Sequence, residues 1–418
     1  MTLSEQFSIN RSRLLQYLSE MAAIGATAKG GCNRQALTEL DHQGRALFLR
    51  WCEKIGGRAR RDTMGNLFVH FAGTNDSLPP VFMSSHLDTQ PTGGKYDGVY
   101  GVLSALEVMH TLSDNHLKTL HPIEIVVWTN EEGARFAPAM MGSGVFSGVL
   151  SQSDMYQVTD RHGTSVKQAL LDNHEMGDTA CQAFPIKAAL ELHIEQGPIL
   201  EAENLPIGIV TGVQGMNWYT VTFQGETTHA GPTPMSMRKD PIKVMSTFAS
   251  KLYEFVEAFD DQAKVTIGDL KVLPGSRNTV PHTVSITVDL RHPEQDKLIT
   301  LTQFLFQLSD QLSEKIKIQV DTVWQSPAVN FHPTCINAIE QSCLTSQTAY
   351  RKMVSGAGHD SVYLSQIAPV GMIFIPCKNG ISHNELETIT DSQAEIGAQI
   401  LLHSVLHLAQ TSSGVNHD

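Results

Sequence analysis

Ser84–Gly98 reads SSHLDTQPTGGKYDG, and both of its flanks are patterned. Val81-Phe82-Met83 before it is an apolar run of strand type, and Val99–Leu112 after it repeats its apolar residues at helical spacing. His86 and Asp88 therefore fall at the end of a strand, and Asp97 on a glycine-rich loop entering a helix. Open α/β sheets place their chemistry at such carboxyl ends of strands. His86 can bind a metal through one ring nitrogen while Asp88 holds the other, and Asp97 has two oxygens with which to bridge two ions. Loop capping and strand-end hydrogen bonding explain the same residues, since Asp is a common turn former. The remainder of the chain decides between these readings.

A second apolar run, Ile123–Thr129, has the continuous character of a buried parallel strand and ends in Asn130-Glu131-Glu132-Gly133. Strand, helix, strand in this order implies a right-handed crossover and a layered α/β domain. Adjacent carboxylates closing a buried strand are costly unless something positive neutralises them. One glutamate can ligate a metal while the other acts on water. Ala188–Ile194 carries His193 in LELHIEQGP, and Val370–Ile375 leads to His383 in PCKNGISHNELE. Four strand ends thus offer His86, Asp97, Glu131/Glu132, His193 and His383, a nitrogen and oxygen donor set suited to zinc, cobalt or manganese.

Upstream, Leu14, Leu15, Leu18, Met21 and Ala22 keep helical spacing until Gly25, so the N-terminal stretch reads as an amphipathic helix without an apolar signal core. A helix over 36–55 and short strands over 58–62 and 66–71 are expected next. From Gly212 to Gln325 the pattern becomes strand, loop, helix, strand, strand, helix, strand, with one-sided alternation in Trp218–Phe223 and Ser285–Asp289. The predicted fold is a layered α/β domain with a mixed, largely parallel sheet, residues 1–211 and 326–418. An α+β domain with an antiparallel sheet, residues 212–325, is inserted into it.

Composition narrows the partners. With 418 residues, two domains are expected. The net charge of -13 argues against nucleic acid, because phosphate binding needs clustered Lys and Arg. No run reaches the roughly 18 apolar residues of a membrane span. The six cysteines contain no Cys-x-x-Cys, as expected of reduced thiols in a cytoplasmic protein. An anionic substrate would need a local cation set against the overall field.

The strings HLDTQPTGGKYDGVYGV, TNEEGARFAPAMMGSGVF, LELHIEQGP, THAGPTPMSMRKDP, SGAGHD and GISHNELE, in this order, resemble the hydantoinase/carbamoylase amidases of the di-metal aminoacylase and carboxypeptidase-like hydrolases. That branch includes N-carbamoyl-L-amino-acid hydrolases, allantoate amidohydrolases and β-ureidopropionases. The resemblance implies two divalent ions, Zn2+ first, with Mn2+, Co2+ or Ni2+ as alternatives. It implies His86, Asp97 and His193 around one ion, Asp97, Glu132 and His383 around the other, and Glu131 as general base. It also implies a substrate carboxylate held by Asn278, Arg291 and the backbone of Gly358, with Gln196 near the ureido end and His229 polarising the attacked carbonyl. A homodimer through the inserted domain is implied too, with His229 reaching the partner's site.

Overall fold

The computed structural model describes residues 7–410. The chain forms two compact units, one built from the chain up to Thr211 and again from Phe331, the other from Gly212–Asn330.

In the first unit the strands are β1 (Arg58–Arg61), β2 (Leu67–Phe71), β3 (Val81–His86), β4 (Ile123–Trp128), β5 (Ala188–Ile194) and β6 (Ile207–Val213). The insertion contributes β7 (Gly215–Gln224), β8 (Thr228–His229), β9 (Lys264–Leu273), β10 (Thr279–Val280), β11 (Thr283–His292), β12 (Lys317–Ser326) and β13 (Val329–Asn330). The first unit resumes with β14 (Tyr350–Ser355) and β15 (Val370–Ile375).

The main sheet runs β1-β2-β4-β3-β5-β15-β6-β13, with β14 also on β6. Its four central strands, β4, β3, β5 and β15, are parallel, and antiparallel neighbours flank them. Every residue of those four strands is buried, which accounts for their predominantly apolar sequences. Helices Val99–Asp114 and Asp391–Gln410 lie against this sheet, and Leu103, Leu106, Ile125, Leu192, Ile375 and Leu402 belong to the shared core. Burial of such side chains contributes about 1.5–3 kcal/mol each.

Local signals set the element ends. Asn10 accepts a hydrogen bond from the Arg13 amide and starts helix Arg11–Ala23, and Thr38 caps Glu39–Glu53 through the Asp41 amide. Leu14, Leu18 and Met21 of the N-terminal periodicity are buried on the first of these helices. The chain re-enters the first unit in a helix, Pro333–Thr345, capped by His332 and beginning with proline.

The inserted unit has an antiparallel sheet, β12-β7-β11-β9. Helices Pro241–Phe259 and Gln295–Leu312 cover the face formed by Tyr219, Val221, Phe223, Val284, Ile286, Val288 and Leu290. This unit spans Gly212–Asn330, and Val329 and Asn330 at its end pair with Val213 and Gly212 at its start.

Candidate metal centre

Each candidate ligand leaves the carboxyl end of one of the four parallel strands. His86 is the last residue of β3, and its Nδ1 faces the Asp88 backbone carbonyl at 3.0 Å. His193 lies near the end of β5, with Nδ1 2.9 Å from the Ile194 carbonyl. Both contacts fix the rings and direct Nε2 inward as the ligand nitrogen. The expected support from the Asp88 carboxylate is not what forms, since its Oδ1 is 3.9 Å from His86 Nδ1. That carboxylate accepts instead from the amides of Glu131 and Glu132, at 3.3 and 3.2 Å, and so positions the glutamate pair.

After β4, Asn130 turns the chain with φ 55°, a conformation Asn tolerates better than most residues. Its side-chain amide donates to the Phe136 and Pro138 carbonyls, which locks the turn. Gly98 precedes helix Val99–Asp114 with φ 66°, and a Cβ there would lie 2.3 Å from the His86 ring. Only glycine lets the Asp97 loop approach this imidazole.

Asp97 lies at the centre. Its Oδ1 is 3.0 Å from His193 Nε2 and 3.7 Å from His86 Nε2. Its Oδ2 is 3.4 Å from His383 Nε2, which is 3.2 Å from Glu132 Oε2. Ligand atoms about 2.1 Å from a shared ion in tetrahedral array lie about 3.4 Å apart, so both sets fit a divalent cation. His86, Asp97 and His193 form one such group, and Asp97, Glu132 and His383 the other. Glu131 belongs to neither, and its Oε2 stands 3.4 Å from His86 Nε2.

The electrostatics follow from burial. Burial acts to raise Asp97, but the imidazoles of His193, His383 and His86 outweigh it and hold the carboxyl well below the usual range. Burial opposes protonation of His193, yet Asp97 lifts it to about 9. His383 rises to about 10 through its hydrogen bonds with Asp97 and Glu132. A bound cation would take the place of those protons. Burial, then Asp360 and Glu132, push Glu131 well above the carboxylate range.

Three groups not anticipated from sequence brace the centre. Gln90 donates to Glu132 Oε2 at 2.8 Å, and Ser382 donates to Asp97 Oδ2 at 2.8 Å. Buried Glu387 accepts from the Tyr96 and Asp97 amides at 2.9 and 3.1 Å. All three fall inside the quoted motifs, but no spacing rule distinguishes them. Gln196, expected at the ureido end of a substrate, donates to Asp97 Oδ2 at 2.8 Å and to Ser382 Oγ at 3.1 Å. Its amide therefore steadies the bridging carboxylate. A third buried group, Glu191, His193 and His359, adjoins the first and shares His193 with it. Gly358 lies just before His359, in contact range of the Met140 side chain.

The other candidates belong to the inserted unit. His229 is exposed on β8, and its Nδ1 accepts from the Gly231 amide at 3.0 Å, which leaves Nε2 as a proton donor. The Asn278 carbonyl accepts from the Ala230 amide, so Asn278 and His229 share one small antiparallel pairing. Arg291 on β11 is half-buried, with Nε and Nη2 on the carboxylate of Asp289.

The pattern of peptidase family M20/M25/M40 matches residues 82–407, and the chain belongs to that metal-dependent family. An N-carbamoyl-L-amino-acid amidohydrolase of Rhizobium meliloti is 41% identical over 408 residues, covering 97% of this chain and 98% of that one. An allantoate amidohydrolase of Bacillus subtilis is 32% identical, covering 97% and 99%. The crystal structure of an amidase of the hydantoinase/carbamoylase family from Burkholderia multivorans superposes with a TM-score of 0.93 at 43% identity, covering 97% of this chain and 99% of that one. Within the larger family this chain stands with those amidases.

Proposed function

We propose that the protein hydrolyses the linear amide C–N bond of a ureido group, converting an N-carbamoyl-L-amino acid to the L-amino acid, carbon dioxide and ammonia. The observation that carries this reading is the pair of ligand groups meeting on Asp97, with Glu131 beside them but in neither. His86, Asp97 and His193 would hold one divalent ion and Asp97, Glu132 and His383 the other, with Zn2+ first among the candidates. When bound, the ions supply Lewis acidity toward a carbonyl and a water.

The chain's own groups handle the proton. Glu131 Oε2 takes it from the attacking water and delivers it to the leaving nitrogen. Its position beside both ligand groups, and in neither, lets one carboxylate serve both transfers. His229 Nε2–H donates to the carbonyl oxygen, while Asn278, Arg291 and the backbone of Gly358 hold the substrate carboxylate. The enzyme acts in the cytoplasm as a homodimer joined through its inserted unit. Support for the dimer comes from apolar residues left exposed there: Leu270 at 51%, Leu273 at 54% and Val323 at 60%.

The test is a panel of N-carbamoyl-L-methionine, N-carbamoyl-β-alanine, allantoate and a dipeptide, assayed side by side with metal-loaded enzyme. The carbamoyl amino acid should give the highest kcat/KM. Preference for allantoate, which the Bacillus subtilis relative motivates, would reassign the substrate. Preference for the dipeptide would replace ureido chemistry with peptidase chemistry.

A further inference from the structure

Alternation along β11 turns Asp289 and Arg291 away from the helices, because Val288, Leu290 and His292 are the buried positions. The antiparallel register then sets Lys264 of β9 directly opposite Arg291, and Thr266 opposite Asp289. Arg291 gives Nε to Asp289 at 3.1 and 3.0 Å and Nη2 at 2.7 Å. That edge of a guanidinium is well shaped to grip a carboxylate, and here it grips the protein's own. The Arg291–Asp289 pair is close to neutral overall.

Lys264 differs. Its part-buried ammonium meets the Gln214 amide oxygen at 3.4 Å, and it forms no ion pair with a carboxylate among the described residues. Partial burial and, after it, the charge of Arg291 lower its pKa. Like charges directly opposite on neighbouring strands destabilise a sheet. A chain with 43 acidic residues against 30 basic ones has carboxylates to spare, yet none among the described residues forms an ion pair with this lysine. A local conflict left uncorrected is the mark of a functional position.

We propose that Lys264 is a specificity-determining residue: it supplies the net positive charge that holds the substrate carboxylate beside Arg291, and Asp289 limits that affinity. This rests on the reading of Arg291 as the carboxylate-binding residue. Lys264 and Asp289 should then act with opposite sign. With N-carbamoyl-L-methionine as probe, Lys264→Met should raise KM about tenfold, with a much smaller change in kcat, since it removes a charge that binds ground and transition states alike. Lys264→Arg should restore KM. Asp289→Asn should lower KM several-fold. The primary amide of the same substrate, which has no carboxylate, should respond far less to all three.

Arg291→Lys and Arg291→Met serve as the control for the reading beneath. If both leave KM for the acid unchanged, the carboxylate lies elsewhere, and the role of Lys264 falls with that reading. If they raise KM while Lys264→Met and Asp289→Asn leave it untouched, Arg291 keeps its place and Lys264 alone is excluded. Equal loss on acid and amide in Lys264→Met would make the lysine structural and also overturn the proposal.

Discussion

The two units bury different things. In the first, Asp88, Asp97, Glu131, Glu191 and Asp360 are all buried at or below the ends of the parallel strands. In the second, no Asp, Glu, Lys or Arg is buried among the described residues, and the core is aromatic and aliphatic. Buried charge is expensive unless it is paired or coordinated. The first unit therefore trades part of its stability for chemistry, and its stability should depend on what its carboxylates hold. The inserted unit, with a largely apolar core and no buried Asp, Glu, Lys or Arg among the described residues, should be indifferent to divalent ions.

The largest expected effect is catalytic. Glu131→Gln keeps the shape of the side chain but removes the proton acceptor, and should lower kcat about 10²–10⁴-fold with metal content unchanged. Glu132→Gln should instead weaken retention of one ion. Equal metal loss in the two variants, measured by elemental analysis, would end the division of roles.

In the inserted unit the severest single change is to the packing. Phe248 is fully buried and packs edge-on against Phe223 at 5.4 Å. Phe248→Ala should cost about 3–5 kcal/mol in the stability of that unit while the first unit keeps its ions. Tryptophan fluorescence can follow each unit, through Trp218 and Trp324 in one and Trp51 and Trp128 in the other. Simultaneous loss of metal would show that the two units do not behave independently.

Chelation should do the converse. Free ion at 100 times its Kd contributes about 2.7 kcal/mol to the unit that binds it, so a chelator should lower the first melting transition and leave the second in place. A chelator that shifts both transitions equally would remove the contrast.

The smallest effect concerns protons. His110, hydrogen-bonded to the Tyr17 hydroxyl at 2.9 Å, is depressed to about 4 by burial and next by Arg13. A histidine whose folded pKa lies below its unfolded value near 6.5 favours folding while neutral. Its contribution is complete above pH 6.5 and fades as the pH falls toward 4. His110→Gln should flatten that acid limb for the first unit in urea titrations between pH 7 and 4. An unchanged slope would acquit His110.

Much of this architecture was legible in the sequence. The parallel strands could be read because burial on both faces leaves mostly apolar runs, and the Ala188–Ile194 run matches its strand at both ends. The insertion was readable because one-sided burial imposes alternation, and its order of elements is as expected. The residues that the resemblance implies as ligands are brought by the fold into two groups whose donor atoms lie within 4.8 Å of one another. What stayed hidden is the layer behind them. Glu387 meets Asp97 from 290 positions away in the chain, and no periodicity carries that information. Asp88 supports the centre by another route than expected, because a backbone carbonyl reaches the His86 ring first. The Arg291–Asp289 pair was likewise invisible, since alternation places side chains on a face without saying which neighbour each will take.

The strand order has a consequence for how the protein is made. β15 lies between β5 and β6, and the whole insertion separates β6 from β15 in the chain. Chains emerge from the ribosome amino-terminal end first. β5 and β6 must wait, with an open slot between them, while the inserted unit is synthesised and can fold. During that interval His86, Asp97 and His193 already exist, but His383 does not. The group of His86, Asp97 and His193 is complete before His383 can join Asp97 and Glu132, and a nascent chain stalled short of residue 370 would carry half a centre on an unfinished sheet.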